Sequence, residues 1–172
     1  LDGLGSALVS IASVQAILNQ TAETYKTLDE VTVLANKIES AFAKLIVAFI
    51  LAELAIMENR LDDAEKLLDG LLVYRSEISF TVKLLLLGMK AEILAKRGNV
   101  EQALEILVVF RANSDRVEGF LRMFAPFILQ QIDALDATLQ KEVPSEIRQR
   151  VEKSTQQRSV DALFTKWFEV TV

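Results

Sequence analysis

Ala52-Glu53-Leu54-Ala55-Ile56-Met57-Glu58-Asn59-Arg60-Leu61-Asp62-Asp63-Ala64-Glu65-Lys66-Leu67-Leu68 reads in register with Ala91-Glu92-Ile93-Leu94-Ala95-Lys96-Arg97-Gly98-Asn99-Val100-Glu101-Gln102-Ala103-Leu104-Glu105-Ile106-Leu107. Each stretch holds an Ala-Glu pair, an apolar patch, a polar break at Asn59 or Gly98, an acidic turn and a small alanine. That is a helix, a tight turn and a second helix, written twice. A fainter copy runs through Asn19, Ala22, Lys26, Leu28-Asp29-Glu30-Val31 and Leu34. A unit that recurs in this way buries its apolar face by stacking on its neighbours.

Working outward, Leu8, Ile11, Val14 and Leu18, with Ile17 beside them, space a first helix over residues 4–20. Thr27-Leu28-Asp29-Glu30 has the capping-box pattern and predicts a second helix from there to about residue 39. A third is expected from residue 40 or 41 to 58, and a fourth from 61 to about 74. Ser76 and Ser79 mark the start of a fifth, which ends at Lys96-Arg97-Gly98, where cations suit the negative helix end and Gly accepts a left-handed turn. Asn99, with Gln102 three residues on, predicts a boxed cap for a sixth. Asn113-Ser114 opens a seventh segment in which Pro126 kinks or restarts the helix. Pro144-Ser145-Glu146 begins an eighth and Ser159 caps a ninth carrying Leu163, Phe164, Trp167 and Phe168.

Composition narrows the function classes. The 172 residues fit one domain, or one segment of a longer array, and Leu1 in place of a start methionine reads as a piece of a longer chain. Mean hydropathy is +0.29, and six Gly with two Pro leave little turn material, so long helices with short loops are expected. A net charge of −5 and no dominant basic face argue against nucleic acid. Arg148, Arg150, Lys153 and Arg158, with Lys141 upstream, alternate with Glu142, Glu146 and Glu152 as a solvated face does. Without Cys or His, zinc sites built on those ligands, thiol catalysis, histidine acid–base chemistry and disulfides are excluded together. The absence of a disulfide framework is in keeping with an intracellular, cytoplasmic location. The apolar run over residues 45–57 is shorter than the ~20 residues of a bilayer span. No phosphate loop, cofactor motif or metal cluster is visible, and no enzyme is expected.

The paired alanines carry a family resemblance. Ala52 and Ala91 stand where two helices of a pair approach closely; Ala55 and Leu94 follow three residues later. Asn59 and Gly98 mark the turn, and Ala64 and Ala103 each precede a leucine, Leu68 or Leu107, by four. In this the chain resembles a degenerate tetratricopeptide repeat. The resemblance implies an all-α, α-α superhelix: a right-handed solenoid of antiparallel helix pairs, with units at residues 4–39, 40–75 and 78–112 and irregular helices over 114–172. The departures are specific. Ala64 and Ala103 lie 39 residues apart, against about 34 in the family, although Val31 to Ala64 is 33. Ala48 and Leu87 replace the early aromatic, and Ser76 and Asp115 stand near the missing closing proline.

The resemblance also implies a concave groove lined by the first helix of each pair. Groove positions in this register are Ser13, Ala16, Gln20 and Glu23, then Ile46, Phe49, Glu53 and Ile56, then Leu85, Gly88, Glu92, Ala95 and Lys96. The Lys, Asn and Arg of a carboxylate clamp are not at these positions. A helix as apolar all round as residues 45–57 is normally buried on every side. A solenoid leaves its groove side open, making Ile46, Phe49 and Ile56 an exposed stripe for an apolar or amphipathic helix or peptide of a partner. Two alternatives are that the tail helix with Trp167 folds back to cover the groove, and that these residues are plain core. Phe120, Met123, Phe124 and Phe127 form one helical stripe that suits a core or a homodimer surface. Glu53 and Glu92 resemble a carboxylate pair, but no nucleophile accompanies them.

The expectation is therefore a non-enzymatic protein–protein interaction scaffold, with Gln20, Glu23, Glu53, Glu92 and Lys96 setting register at the rim of the groove. A ligand-sensing regulatory domain and a structural oligomerisation module are the alternatives.

Overall fold

Residues 3–18, 20–37, 41–72, 78–116, 119, 126–155 and 157–168 are described by a computed structural model, and among them every regular element is helical. The all-α expectation holds. The elements are α1 (Gly3–Ile17), α2 (Thr21–Lys37), α3 (Ala41–Met57), α4 (Leu61–Leu71), α5 (Phe80–Lys96), α6 (Val100–Arg111), a 3-10 turn at Ser114–Arg116, α7 (Pro126–Glu142), α8 (Ser145–Thr155) and α9 (Val160–Phe168). They fall into two compact units, Leu1–Val73 with Arg122–Phe127, and Tyr74–Leu121 with Ile128–Val172.

Three helix pairs share one design. α1/α2, α3/α4 and α5/α6 are each closed by a turn at residues 18–20, 58–60 or 97–99. In two of them the turn is the same hydrogen-bonded motif. Asn59 and Gly98 have φ of 59° and 81°. The Arg60 N–H donates to the Ala55 carbonyl at 2.8 Å and Asn59 N–H to Ile56 at 3.1 Å; Asn99 donates to Leu94 at 2.8 Å and Gly98 to Ala95 at 2.9 Å. This Schellman pattern needs a left-handed residue, which Gly adopts without cost and Asn more readily than most. At the first turn Gln20 N–H reaches the Gln15 carbonyl, also five residues back, at 2.9 Å.

Buried positions repeat with the same step. Ala12, Ala52 and Ala91 correspond, as do Thr24, Ala64 and Ala103, and Leu28, Leu68 and Leu107; none is more than 1% exposed. The spacing is 40 and then 39 residues. This corrects the register expected for the first copy, in which Val31 would match Ala64 at a 33-residue step. Val31 is buried too, but it lies one further helical repeat along α2, and Leu28 matches Leu68.

In the first unit α2 packs on α3, and α1 touches both. In the second, α6 lies against α5 and α8, while α9 rests on α5 and α6. The ion pair Arg150–Glu101, at 2.6 Å, joins α8 to α6. Arg111 reaches Asp136 of α7 at 3.6 Å and Glu152 of α8 at 3.7 Å. The basic residues around 148–158 are thus engaged: Arg148 also donates to the Val143 carbonyl and the Gln140 side chain.

Helix starts divide sharply by backbone geometry. Ser79 (ψ 163°) is extended and its hydroxyl accepts from Val82 N–H at 3.4 Å. Ser159 caps α9 in the same way through Ala162 N–H, at 3.1 Å. Asn99 makes no side-chain cap: its ψ of 57°, set by the preceding Schellman turn, aims the side chain away. Thr27-Leu28-Asp29-Glu30 is not a capping box either. It lies inside α2, which starts at Thr21, and Thr27 Oγ1 donates to Gln15 Oε1 of α1 at 2.8 Å. The expected seventh helix is a short 3-10 turn after Asn113, with α7 described from Pro126 onward. Ser76 and the Phe120, Met123 and Phe124 stripe lie outside the described residues, as does the side chain of Phe127.

Candidate interaction surface

The residues expected to face a groove are placed in two ways. Ile46, Phe49, Glu53 and Ile56 of α3 are buried, as are Ala16 of α1 and Leu85, Gly88 and Glu92 of α5. Gln20, Glu23 and Lys96 are exposed, Ala95 is half-buried, and the side chain of Ser13 lies outside the described set. Ile46, Phe49 and Ile56 therefore form no exposed stripe. The all-round apolar character of α3 expresses burial on all sides.

What covers the corresponding face of α5 is visible. Gly88 is met by Ile132 of α7: a Cβ built at Gly88 would collide with Ile132 Cδ1 and stand 3.1 Å from its Cγ1 and 3.3 Å from Phe110 Cε2. Ile128, Ile132 and Leu139 are the buried stripe of α7. The chain's own helix thus occupies this face, but it is α7 and not the tail helix α9.

The tail helix sits elsewhere on the second unit. Leu163, Phe164 and Phe168 are buried, with the Phe164 and Phe168 rings stacked at 5.0 Å. Lys83 Nζ of α5 pairs with Asp161 at 2.6 Å and lies 5.5 Å from the Phe164 ring. Trp167 is half-buried between two ammonium groups, Lys166 at 4.8 Å and Lys90 at 5.9 Å. Glu105 of α6, itself buried, accepts from Arg158 and, at 2.7 Å, from Lys166. Burial, with the nearby Arg158 charge second, lowers the Lys166 pKa below its ordinary value.

The large apolar side chains left in solvent are on the first helix pair. Ile11, Val14 and Leu18 of α1 are 47%, 54% and 60% exposed, and Val33 of α2 is 56% exposed. Ala7 is exposed as well. α1 is inside-out in size: it buries Ala12 and Ala16 and shows its larger residues to water. The repeat register makes the contrast plain. Val14 corresponds to Leu54 and Ile93, and Ala7 to Val47 and Leu86, all four of which are buried. Sequence reading used Ile11, Val14 and Leu18 only as the mark of a helix. The signal it passed over was that a second, alanine-lined face runs beside them.

Among the described residues no group of His, Cys, Asp or Glu could hold a metal ion, and no helix is long and apolar enough to cross a membrane. An open hollow of about 670 Å³ lies between the start of α6 and the α7–α8 turn, walled by Glu101, Glu142, Pro144 and Ile147. Glu101 is already committed to Arg150 there. The sequence matches no family model, no curated protein and no solved structure.

Proposed function

We propose that the chain is a non-enzymatic protein–protein interaction scaffold, built from tetratricopeptide-like helix pairs of 39–40 residues and docking a partner through the outer face of its first pair. One observation carries this reading: α1 exposes Ile11, Val14 and Leu18 while burying alanines, and the residues equivalent to Val14 in α3 and α5 are sealed. A contiguous exposed apolar stripe marks an interaction site, because a soluble surface gains nothing by displaying it. The repeat supplies the support. In the first unit α3 lays its face on the pair before it, and α1 presents the matching face with nothing described upon it. Docking at Ile46, Phe49 or Ile56 would instead require the protein to open, since all three are buried.

A photo-crosslinking amino acid at Val14, compared with one at the well-exposed Lys66 of α4, tests the reading in cells producing the protein. A discrete adduct specific to position 14, lost when Ile11 is changed to Glu, is expected. Equal, diffuse labelling at both positions would remove the docking surface.

A further inference from the structure

We infer that the occupant of the α1 surface is α1 of a second copy, lying antiparallel across a two-fold axis; this rests on the docking role proposed for that surface. The exposed positions are Ala7, Ile11, Val14 and Leu18, spaced four, three and four residues apart. That is the seam spacing of two helices packed side by side, so the complement is a helix.

The seam also reads the same from either end. About a point midway between Ile11 and Val14, an antiparallel copy sets Ile11 opposite Val14 and Ala7 opposite Leu18. The smallest side chain then faces the largest, twice. A parallel copy would set Leu18 on Leu18 and leave a gap between two alanines, and it would align the helix dipoles unfavourably.

Charge agrees with a self-match. Gly3–Ile17 holds no Asp, Glu, Lys or Arg. A two-fold brings every charge near its own like, and here there is none to repel. A foreign helix would have to supply an equally uncharged face; the second copy supplies it by construction. The seam from Ala7 to Leu18 spans roughly 16 Å of helix, short of a standard interface, so the dimer is weak and reversible.

The test uses the intact chain. Sedimentation velocity from low to high micromolar concentration should show monomer passing to dimer, and Val14→Glu should weaken self-association roughly ten-fold or more by placing a charge in the seam. Helicity and melting temperature of this variant should match wild type, because residue 14 is exposed. The chain has no cysteine of its own, so single thiols report geometry. A mixture of Ile11→Cys and Val14→Cys chains should crosslink with a short bis-maleimide faster than Val14→Cys alone, and far faster than Lys66→Cys. A chain monomeric at every concentration, a dimer indifferent to Val14→Glu, or a preference for the 14–14 crosslink would each overturn the proposal. A position-14 adduct of foreign mass on a monomeric chain would reject the second copy and leave the docking role standing; no specific adduct would reject both.

Discussion

Asn59 and Gly98 occupy the same point in successive helical turns: each has positive φ, and the residue after each donates to a carbonyl five residues back. Only one of the two is glycine, so the shared backbone can be tested by exchange. A Cβ at Gly98 meets nothing within 4 Å, which leaves conformational strain as its sole cost. Gly98→Ala should lower stability by about 1 kcal/mol, Gly98→Asn by less, and Asn59→Gly should be neutral or slightly stabilising. Urea denaturation of the three variants checks the ranking; Gly98→Ala equal to wild type would contradict the motif.

These turns explain how much was legible in the sequence. The pairs α3/α4 and α5/α6 could be aligned because small alanines and turn-forming residues are local signals with fixed offsets. The first pair was misaligned because Thr24 fills the alanine position. Its hydroxyl donates to the Gln20 carbonyl at 2.8 Å, so a polar residue is satisfied within its own helix and buried completely. The buried face of α5 was not legible as such, since its cover comes from Ile132, far along the chain. For α3 the sequence offered two readings, open on one side or buried all round, and no local feature separates them.

Gly88 tests that cover. Gly88→Ala forces Ile132, itself buried, and the Phe110 ring to move, and overpacking of this kind costs about 1–3 kcal/mol. Pairing it with Ile132→Val should recover part of the loss, because the shorter side chain withdraws the colliding methyl. Independent, additive losses in the double-mutant cycle would show that the two residues do not touch.

Tyr25 should titrate above the usual tyrosine value of 10.0, first because it is partly buried and second because the Glu58 carboxylate is beside it. Arg60, which donates to Tyr25 Oη at 2.6 Å and pairs with Glu58, opposes the shift without cancelling it. With the folded value raised, the linked stability is complete below pH 10 and lost as pH rises through the folded value. Glu58→Gln should move the ultraviolet titration of the phenol back towards 10.0 only in part. Full return would assign the shift to charge and not to burial.

Glu105 fastens α9 to α6 through Arg158 and Lys166, and the sole tryptophan, Trp167, lies next to that clasp. Glu105 is nearly enclosed whereas both cations are about two-fifths exposed, so solvent screens the pairs in part. Glu105→Ala should therefore cost about 1–3 kcal/mol, concentrated on the docking of α9. Trp167 fluorescence should then change at lower urea than the far-ultraviolet helical signal, whereas wild type shows the two closer together. Lys166→Met isolates the opposing contribution. Because the Lys166 pKa is lowered, the folded state sheds its proton first, and stability tied to that group rises as pH climbs from the folded value to 10.5. The stability of wild type relative to Lys166→Met should grow over that alkaline range; a difference that shrinks instead would mean that the ammonium gains more from Glu105 than it loses by burial.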